Sequence, residues 1–423
     1  MENERKDITY QIQQGHKLQT LIHYVNKETL VKQHGKQQSN KATGVDRMTK
    51  EEYGANLETN IEKLLEKMKK FSYRPQAVRR AYIPKSDGNL RPLGIPSYED
   101  KLVQGCMTEV LTEIYENKFL EFSYGFRPNK NCHQAIKEIH KTIMAKKVNF
   151  ILDCDIKGFF DNVDHKWLMK FLENDIGDKN FLRYIVRFLK SGVMEDMKCY
   201  ESDKGTPQGG LISPVLANVY LHYVLDLWFK YLKEKGIIKG EVYLIRYADD
   251  FVVMFQYKEQ AEKFYKMLIK RLAKFGLEIT EDKTRIIPFG RYFGTKETFD
   301  FLGFMHYNGT TRTGRYMVGH KISKKKKKTK KQAIKQWIKE HRHLGFEEII
   351  KKINRKIIGL YAYYGINGMI RELQNLRNYV GITIYHVMRK RSQRNKLTKE
   401  QFSKIMELFP LARPRVYHNI YAD

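Results

Sequence analysis

An α+β fold in roughly two to four lobes is predicted by three observations on this 423-residue chain. The apolar runs Val242 to Ile245 and Phe251 to Phe255 flank a tight turn and read as a hairpin of two short strands. Phe150 to Ile156 is a second β-like run. Long stretches with apolar residues at helical spacing separate these runs, and a helix–strand alternation of this kind around residue 155 suits a ferredoxin-like unit with an antiparallel sheet.

Taken in order, Met1 to Asn26 is mixed polar and lacks the apolar core of a secretory signal, which makes the cytoplasm the expected compartment. A helix is expected near His16 to Gln33, followed by a Gly- and Asn-containing loop, Gln37 to Asp46, and a helical stretch, Thr49 to Phe71. In that stretch Leu57, Ile61, Leu64, Leu65 and Met68 form a packing stripe. Arg79 to Leu93 has a different texture. Short β-like runs flank the turn Ser86-Asp87-Gly88-Asn89, with Lys85 before it and Arg91 after it, so one hairpin carries two cations. On the residues alone this is a solvated basic hairpin. Tyr98 to Tyr115 and Asn131 to Lys146 read as helices that frame the loop Ser123 to Asn131. Trp167 to Leu189 is again helical, and Gly205 to Gly210 is a glycine-containing turn into a helix, Ile212 to Phe229, with Pro214 near its first turn.

The hairpin tip is Tyr247-Ala248-Asp249-Asp250. Adjacent carboxylates repel each other, and a hard divalent cation such as Mg²⁺ removes that cost by taking oxygen ligands. By itself the tetrapeptide is equally an Asp-rich turn. A third acid decides between the two: Asp155, at the end of the run 150–156, sits where a strand delivers it to the same cation, while Asp153 shares its strand face. Metal ions held about 4 Å apart by shared carboxylates suit nucleotidyl transfer.

Composition points the same way. The formal net charge is +30, from 78 Lys and Arg against 48 Asp and Glu, which indicates an extended polyanionic partner whose binding depends steeply on salt. No uninterrupted apolar stretch of about 20 residues is present, so nucleic acid is preferred over a membrane. Cys106, Cys132, Cys154 and Cys199 show no paired spacing, so neither a disulfide frame nor a zinc module is expected. Residues 312–345 hold thirteen Lys and Arg against one acid, including Lys324, Lys325, Lys326, Lys327 and Lys328, and mark a boundary. An amphipathic stripe follows it, Phe346, Ile349, Ile350, Ile353, Ile357 and Tyr361.

Several blocks occur in one order. Tyr82 to Pro96 and Ser123 to Pro128 come first, then Asp155 with Phe160 five residues later. Gly205-Thr206-Pro207-Gln208-Gly209-Gly210-Leu211-Ile212-Ser213-Pro214 is next, and then Tyr247 to Asp250, Lys283, and Phe301-Leu302-Gly303-Phe304. Together they resemble bacterial reverse transcriptases, specifically those encoded by group II introns and their relatives, over most of the chain. The Ser213-Pro214 ending is typical of the group II intron branch and departs from the Ser-Gln ending of diversity-generating enzymes.

The resemblance implies a right-hand polymerase with fingers, a ferredoxin-like palm and an α-helical thumb. Residues 1–140 would form an N-terminal extension and fingers, 141–315 the palm, and 316–395 a basic, maturase-like helical thumb. The segment 396–423 would be short and without a nuclease domain. Asp155, Asp249 and Asp250 become the catalytic and metal-holding acids, with two Mg²⁺ ions and Mn²⁺ able to substitute. Lys85, Arg91, Phe160, Gln208 and Lys283 become nucleotide-binding residues, Phe160 as the steric gate against the 2′-hydroxyl, although beside Phe159 it also reads as core. Gly209, Gly210, Ser213, Pro214, Leu302 and Gly303 become template and primer contacts, and Lys324 to Lys328 contacts to RNA backbone. Implied partners are an RNA template, intron RNA, a DNA or RNA primer and deoxynucleoside triphosphates. The implied activity is RNA-directed DNA synthesis with a part in splicing and mobility. Two alternatives remain: a splicing maturase with dispensable polymerase activity, and a captured intron-type enzyme in bacterial defence.

Overall fold

The computed structural model describes residues 17–84, 90–195, 198–200, 204, 205, 209–293, 296–391 and 397–421, so Lys85, the turn 86–89 and Gln208 lie outside the described residues. The chain forms two compact units. Residues 1–131, 152–253 and 258–285 make the first, and residues 132–151, 254–257 and 286–423 make the second.

In the first unit, strands β1 (Val78–Pro84) and β2 (Leu90–Ile95) pair antiparallel with Ile83 opposite Arg91. The sheet order β2-β1-β4-β5 is completed by β4 (Val193–Glu195) and β5 (Lys198–Tyr200), with β1 and β4 parallel. Behind this sheet in sequence runs the helix Tyr98–Glu116, which is buried along much of its length, including Leu102, Val103, Met107, Leu111 and Ile114. Ser97 caps it by accepting the Asp100 N–H. Asp100 itself is buried and accepts from the Tyr73 hydroxyl and the Gln76 N–H. Desolvation outweighs those bonds and raises its pKa.

The predicted helix over 167–189 is two helices, His165–Asp175 and Lys179–Leu189. Asp178 explains the break, because its carboxylate accepts the N–H groups of Asn180 and Phe181 and starts the second helix. The predicted hairpin is β6 (Val242–Tyr247) and β7 (Asp250–Phe255), in a sheet of order β6-β7-β3-β8 with β3 (Phe150–Cys154) and β8 (Arg285–Pro288). β3 is buried on the face of Phe150, Leu152 and Cys154, while the other face carries buried Ile151 and half-buried Asp153.

In the second unit, β9 (Thr298–Phe301), β10 (Phe304–Thr310) and β11 (Tyr316–Ile322) form an antiparallel sheet in the order β11-β10-β9. Leu302 and Gly303 both have positive φ, 51° and 80°, which makes them the two-residue turn that suits the twist of a hairpin. Residues 316–322 are therefore strand, and the basic helical region begins only at Lys324 with the helix Lys324–Glu340. That helix packs with Ile370–Arg389, and Phe346–Tyr364 lies between them in sequence. Tyr361 and Tyr364 are buried, and half-buried Tyr363 donates to the Leu302 carbonyl at 2.8 Å. No described helix is long and apolar enough to cross a membrane. Cys106, Cys132 and Cys154 are free thiols.

Three histidines cluster beneath this sheet. His306 on β10 and His320 on β11 are buried with ring centroids 4.9 Å apart, and His140, from the helix Cys132–Ala145, lies 5.4 Å from His320. Neither ring nitrogen of His306 or His320 has a hydrogen-bond partner. Phe299 stacks on His306 at 4.5 Å, and Tyr421 lies against His140. Desolvation lowers all three pKa values, that of His320 to about 3. An unfolded histidine takes up a proton near pH 6.5, so as pH falls below that value the unfolded state binds protons that these rings refuse. Stability should therefore fall between pH 7 and pH 5, by about 2 kcal/mol per fully neutral ring at pH 5. Thermal melting across that range checks this, and His320→Phe should flatten the slope.

Candidate active site

The acids are positioned by the ends of neighbouring strands. Asp155 lies one residue past β3, Asp250 is the first residue of β7, and Asp249 occupies the turn between β6 and β7. After β3 the chain pairs with 278–280: the Thr280 N–H donates to the Asp155 carbonyl at 2.8 Å and the Lys157 N–H to the Glu278 carbonyl at 2.9 Å. A 3-10 turn, Glu281–Lys283, follows and swings Lys283 back, so that its Nζ lies 2.9 Å from Asp155 Oδ2. Lys283 thus sits on a predicted metal-holding carboxylate.

Asp250 is exposed and Asp249 is partly buried. Burial raises the pKa of Asp249, and the Asp155 charge pushes it the same way, while its own backbone N–H, Arg91 and Arg246 act against the rise. Asp155 and the exposed Arg91 of β2 thus both act electrically at Asp249. Among the described residues no three His, Cys, Asp or Glu side chains already converge as a ligand cluster. The donor set nevertheless fits a divalent cation. It offers only hard carboxylate oxygens, and a cation relieves the desolvation and like-charge repulsion that Asp249 bears.

The turn itself is strained. Ala248 has φ +58°, a left-handed conformation that costs an alanine roughly 1–2 kcal/mol. Its carbonyl accepts from Arg246 Nη1 at 3.0 Å. Arg246 is wholly buried and so is Asp226, whose carboxylate takes Nε at 2.8 Å and Nη2 at 2.5 Å. Asn218 Oδ1 accepts from Nη1 at 2.9 Å, and Asn218 Nδ2 donates to the Gly125 carbonyl at 2.6 Å. A side chain on Gly125 would strike the backbone of Tyr247 and Ala248, so glycine is required where the loop 123–128 meets the turn.

Asp226 comes from an unusual stretch of helix. Ser213–Leu221 is α-helical, His222–Asp226 is a π-helical turn, and Leu227–Glu234 is α-helical again. Sequence reasoning missed Arg246, Asp226 and Asn218. The signal was there: an arginine directly after the apolar run Val242-Tyr243-Leu244-Ile245, and a lone acid within His222-Tyr223-Val224-Leu225-Asp226-Leu227, are charges that burial allows only in pairs.

The remaining expected residues separate into groups. Phe159 is core and Phe160 is only partly buried, in a short helix, Phe159–Asn162, that starts after Gly158 at φ +52°. The Phe160 carbonyl lies against Gly205, where a Cβ would approach it to 2.9 Å. Gly209, at φ +113°, lies against the Gly94 carbonyl of β2, 2.5 Å from an added Cβ, so its glycine is required by strand approach. Gly210 and Ser213 are buried at the start of the helix Ser213–Leu221, which makes them packing positions, while Pro214 is partly exposed. Leu302 and Gly303 form the β9–β10 turn described above. Lys324, Lys325, Lys326 and Lys328 are exposed on their helix, but Lys327 is held by Glu372 at 2.8 Å and is not a free phosphate contact.

Comparisons agree with the blocks. A family model described as reverse transcriptase (RNA-dependent DNA polymerase) matches residues 83–306, and one described as the group II intron maturase-specific domain matches residues 327–406. Group II intron-encoded protein LtrA of Lactococcus lactis subsp. cremoris is 32% identical over 286 residues, 54% of this chain and 47% of the relative. Protein YkfC of Escherichia coli (strain K12) is 31% identical over 312 residues, 67% of this chain and 80% of the relative. The chain thus spans about half the length of the LtrA relative it matches. A solved telomerase structure from Candida albicans, in complex with a fragment of telomeric RNA, aligns at TM-score 0.44 and 13% identity, covering 85% of this chain and 66% of that one.

A raised folded-state pKa means that ionised Asp249 opposes folding at neutral pH, an effect absent once pH falls low enough to protonate it. Asp249→Asn should therefore raise the melting temperature at pH 7 without divalent cation, and the gap should close when Mg²⁺ is added. Calorimetry of both proteins with and without the ion checks this.

Proposed function

The chain belongs to the reverse transcriptase (RNA-dependent DNA polymerase) family and carries a group II intron maturase-specific domain, and from that premise we propose that it is an RNA-directed DNA polymerase of group II intron type. It extends a primer 3′-hydroxyl on an RNA template with deoxynucleoside triphosphates. The family uses divalent metal ions. The observation that carries the reading is the adjacency of β3 and β7 in one sheet, which sets Asp155, one residue past β3, beside the β6–β7 turn that bears Asp249 and Asp250.

In this reading Asp155, Asp249 and Asp250 hold a pair of Mg²⁺ ions, which Mn²⁺ can replace. Bound there, the ions supply Lewis acidity for the attacking and leaving oxygens. The protein does the rest by placement and charge. Arg91 offers a planar fork to the triphosphate, where a lysine would offer only a point charge. Phe160, partly exposed beside buried Phe159, is the ring against which a 2′-hydroxyl would clash. Lys283 neutralises Asp155 until substrate arrives and then stands near the departing pyrophosphate. The exposed lysines at 324–326 and 328 favour a second role in holding intron RNA for splicing and mobility, as the maturase-specific match from 327 to 406 supports.

Primer extension on an RNA template with Mg²⁺ and deoxynucleotides should proceed with the intact protein and be lost in Asp249→Ala, Asp250→Ala. If the intact protein binds RNA and promotes splicing but never extends a primer, the maturase function stands alone. Phe160→Val should raise ribonucleotide incorporation relative to deoxynucleotide by about tenfold or more, the factor that ~1.4 kcal/mol of lost discrimination gives. Competitive incorporation from mixed nucleotides measures it.

A further inference from the structure

The Arg246 guanidinium sits one residue before Tyr247 and turns back to the carbonyl of Ala248, a bond that closes only while the chain reverses at that point. Two other residues fix the guanidinium in turn, Asp226 through both carboxylate oxygens and Asn218 through Oδ1. Asn218 also holds the Gly125 carbonyl, and the Tyr124 N–H donates to the Arg246 carbonyl at 2.8 Å while the Arg246 N–H donates to Phe122 at 2.8 Å. The turn bearing the acids is thus gripped from beneath by one side chain and from the side by one loop.

A fully desolvated ion pair is a poor way to stabilise a core, since well-packed apolar residues of similar volume often do as well or better. What apolar residues cannot do is hold a carbonyl in a fixed direction. Such a hold matters at Ala248, because its left-handed φ sets the direction in which Asp249 and Asp250 leave the turn.

We propose that Arg246, clamped by Asp226 and Asn218, is a positioning residue that imposes the left-handed conformation on Ala248 and thereby aims Asp249 and Asp250 at their cations. The proposal rests on the polymerase reading given above. All three residues are buried in the protein. Arg246→Lys keeps the charge but loses the planar fork, so it cannot serve Asp226, Asn218 and Ala248 together. Glycine adopts the left-handed conformation without help, so Ala248→Gly should do part of the work of the missing fork.

The test is a double-mutant cycle of Arg246→Lys and Ala248→Gly, read by two measurements. The first is steady-state primer extension. Arg246→Lys should lower kcat by about a hundredfold with KM for primer–template unchanged, and adding Ala248→Gly should recover about tenfold of that loss. The second is Mn²⁺ binding followed by electron paramagnetic resonance, which needs no catalysis. Arg246→Lys should weaken binding by about tenfold, and the second substitution should restore part of it. Circular dichroism melting confirms that each variant is folded at the assay temperature; if Arg246→Lys is not, Asn218→Ala removes a single link and should shift both measurements the same way by less. Unchanged Mn²⁺ affinity in the folded single variant, or an effect of Ala248→Gly that is the same in both backgrounds, overturns the proposal. If the unaltered protein binds Mn²⁺ with this pattern yet extends no primer, the polymerase reading fails and the positioning role survives.

Discussion

A guanidinium and a carboxylate that are both wholly removed from water face each other beneath the acid-bearing turn, and the arrangement of this site follows from their need for one another. Removing either partner of such a pair leaves a buried unpaired charge at a cost of about 3–5 kcal/mol, against a total stability of about 5–15 kcal/mol for a domain. The chain is therefore committed to bringing Arg246 and Asp226 together. Arg246 lies on β6 and Asp226 on the helix before it, so their meeting fixes the helix against the strand. Once the fork is in place, its remaining hydrogens reach Asn218 and the Ala248 carbonyl, and the turn has one shape.

Around that anchor the electrostatics have a consistent logic. The molecule is strongly cationic, yet its candidate catalytic residues are anions, one of them destabilised by burial and by its neighbour. Cations close the gap: Lys283 on Asp155, Arg91 and Arg246 in the field of Asp249. A divalent ion bound to the acids would compete with those partnerships, since it offers the same carboxylates a denser positive charge. The surplus positive charge elsewhere suits a polyanion, and the helix Lys324–Glu340 displays a run of exposed lysines.

Much of this was legible in the sequence, for identifiable reasons. The hairpin at 242–255 and the strand at 150–154 could be read because short apolar runs bounded by turn residues permit little else. The break at Asp178 was hidden because both halves of 167–189 carry apolar residues at helical spacing, and periodicity does not register a cap in the middle. The strand at 316–322 was hidden by the basic composition that begins before it, which marks charge and not conformation. Lysine runs also conceal individual fates: Lys327 differs from its neighbours only because Glu372, far along the chain, reaches it. Gly209 was expected as a template and primer contact; the close neighbour the structure gives it is Gly94, a pairing that spacing along the chain cannot announce.

The π-helical turn at His222–Asp226 has a consequence for how this molecule is matched to its relatives. A π turn holds one residue more than the α-helical phase allows, so the face presented by Leu227–Glu234 is rotated by about 100° from where an unbroken helix starting at Ser213 would put it. A relative lacking that extra residue would look, in an alignment, as though it had a harmless one-position gap in a helix. Physically the gap would be a change of phase, with the acid that serves the buried arginine carried off to another side of the helix.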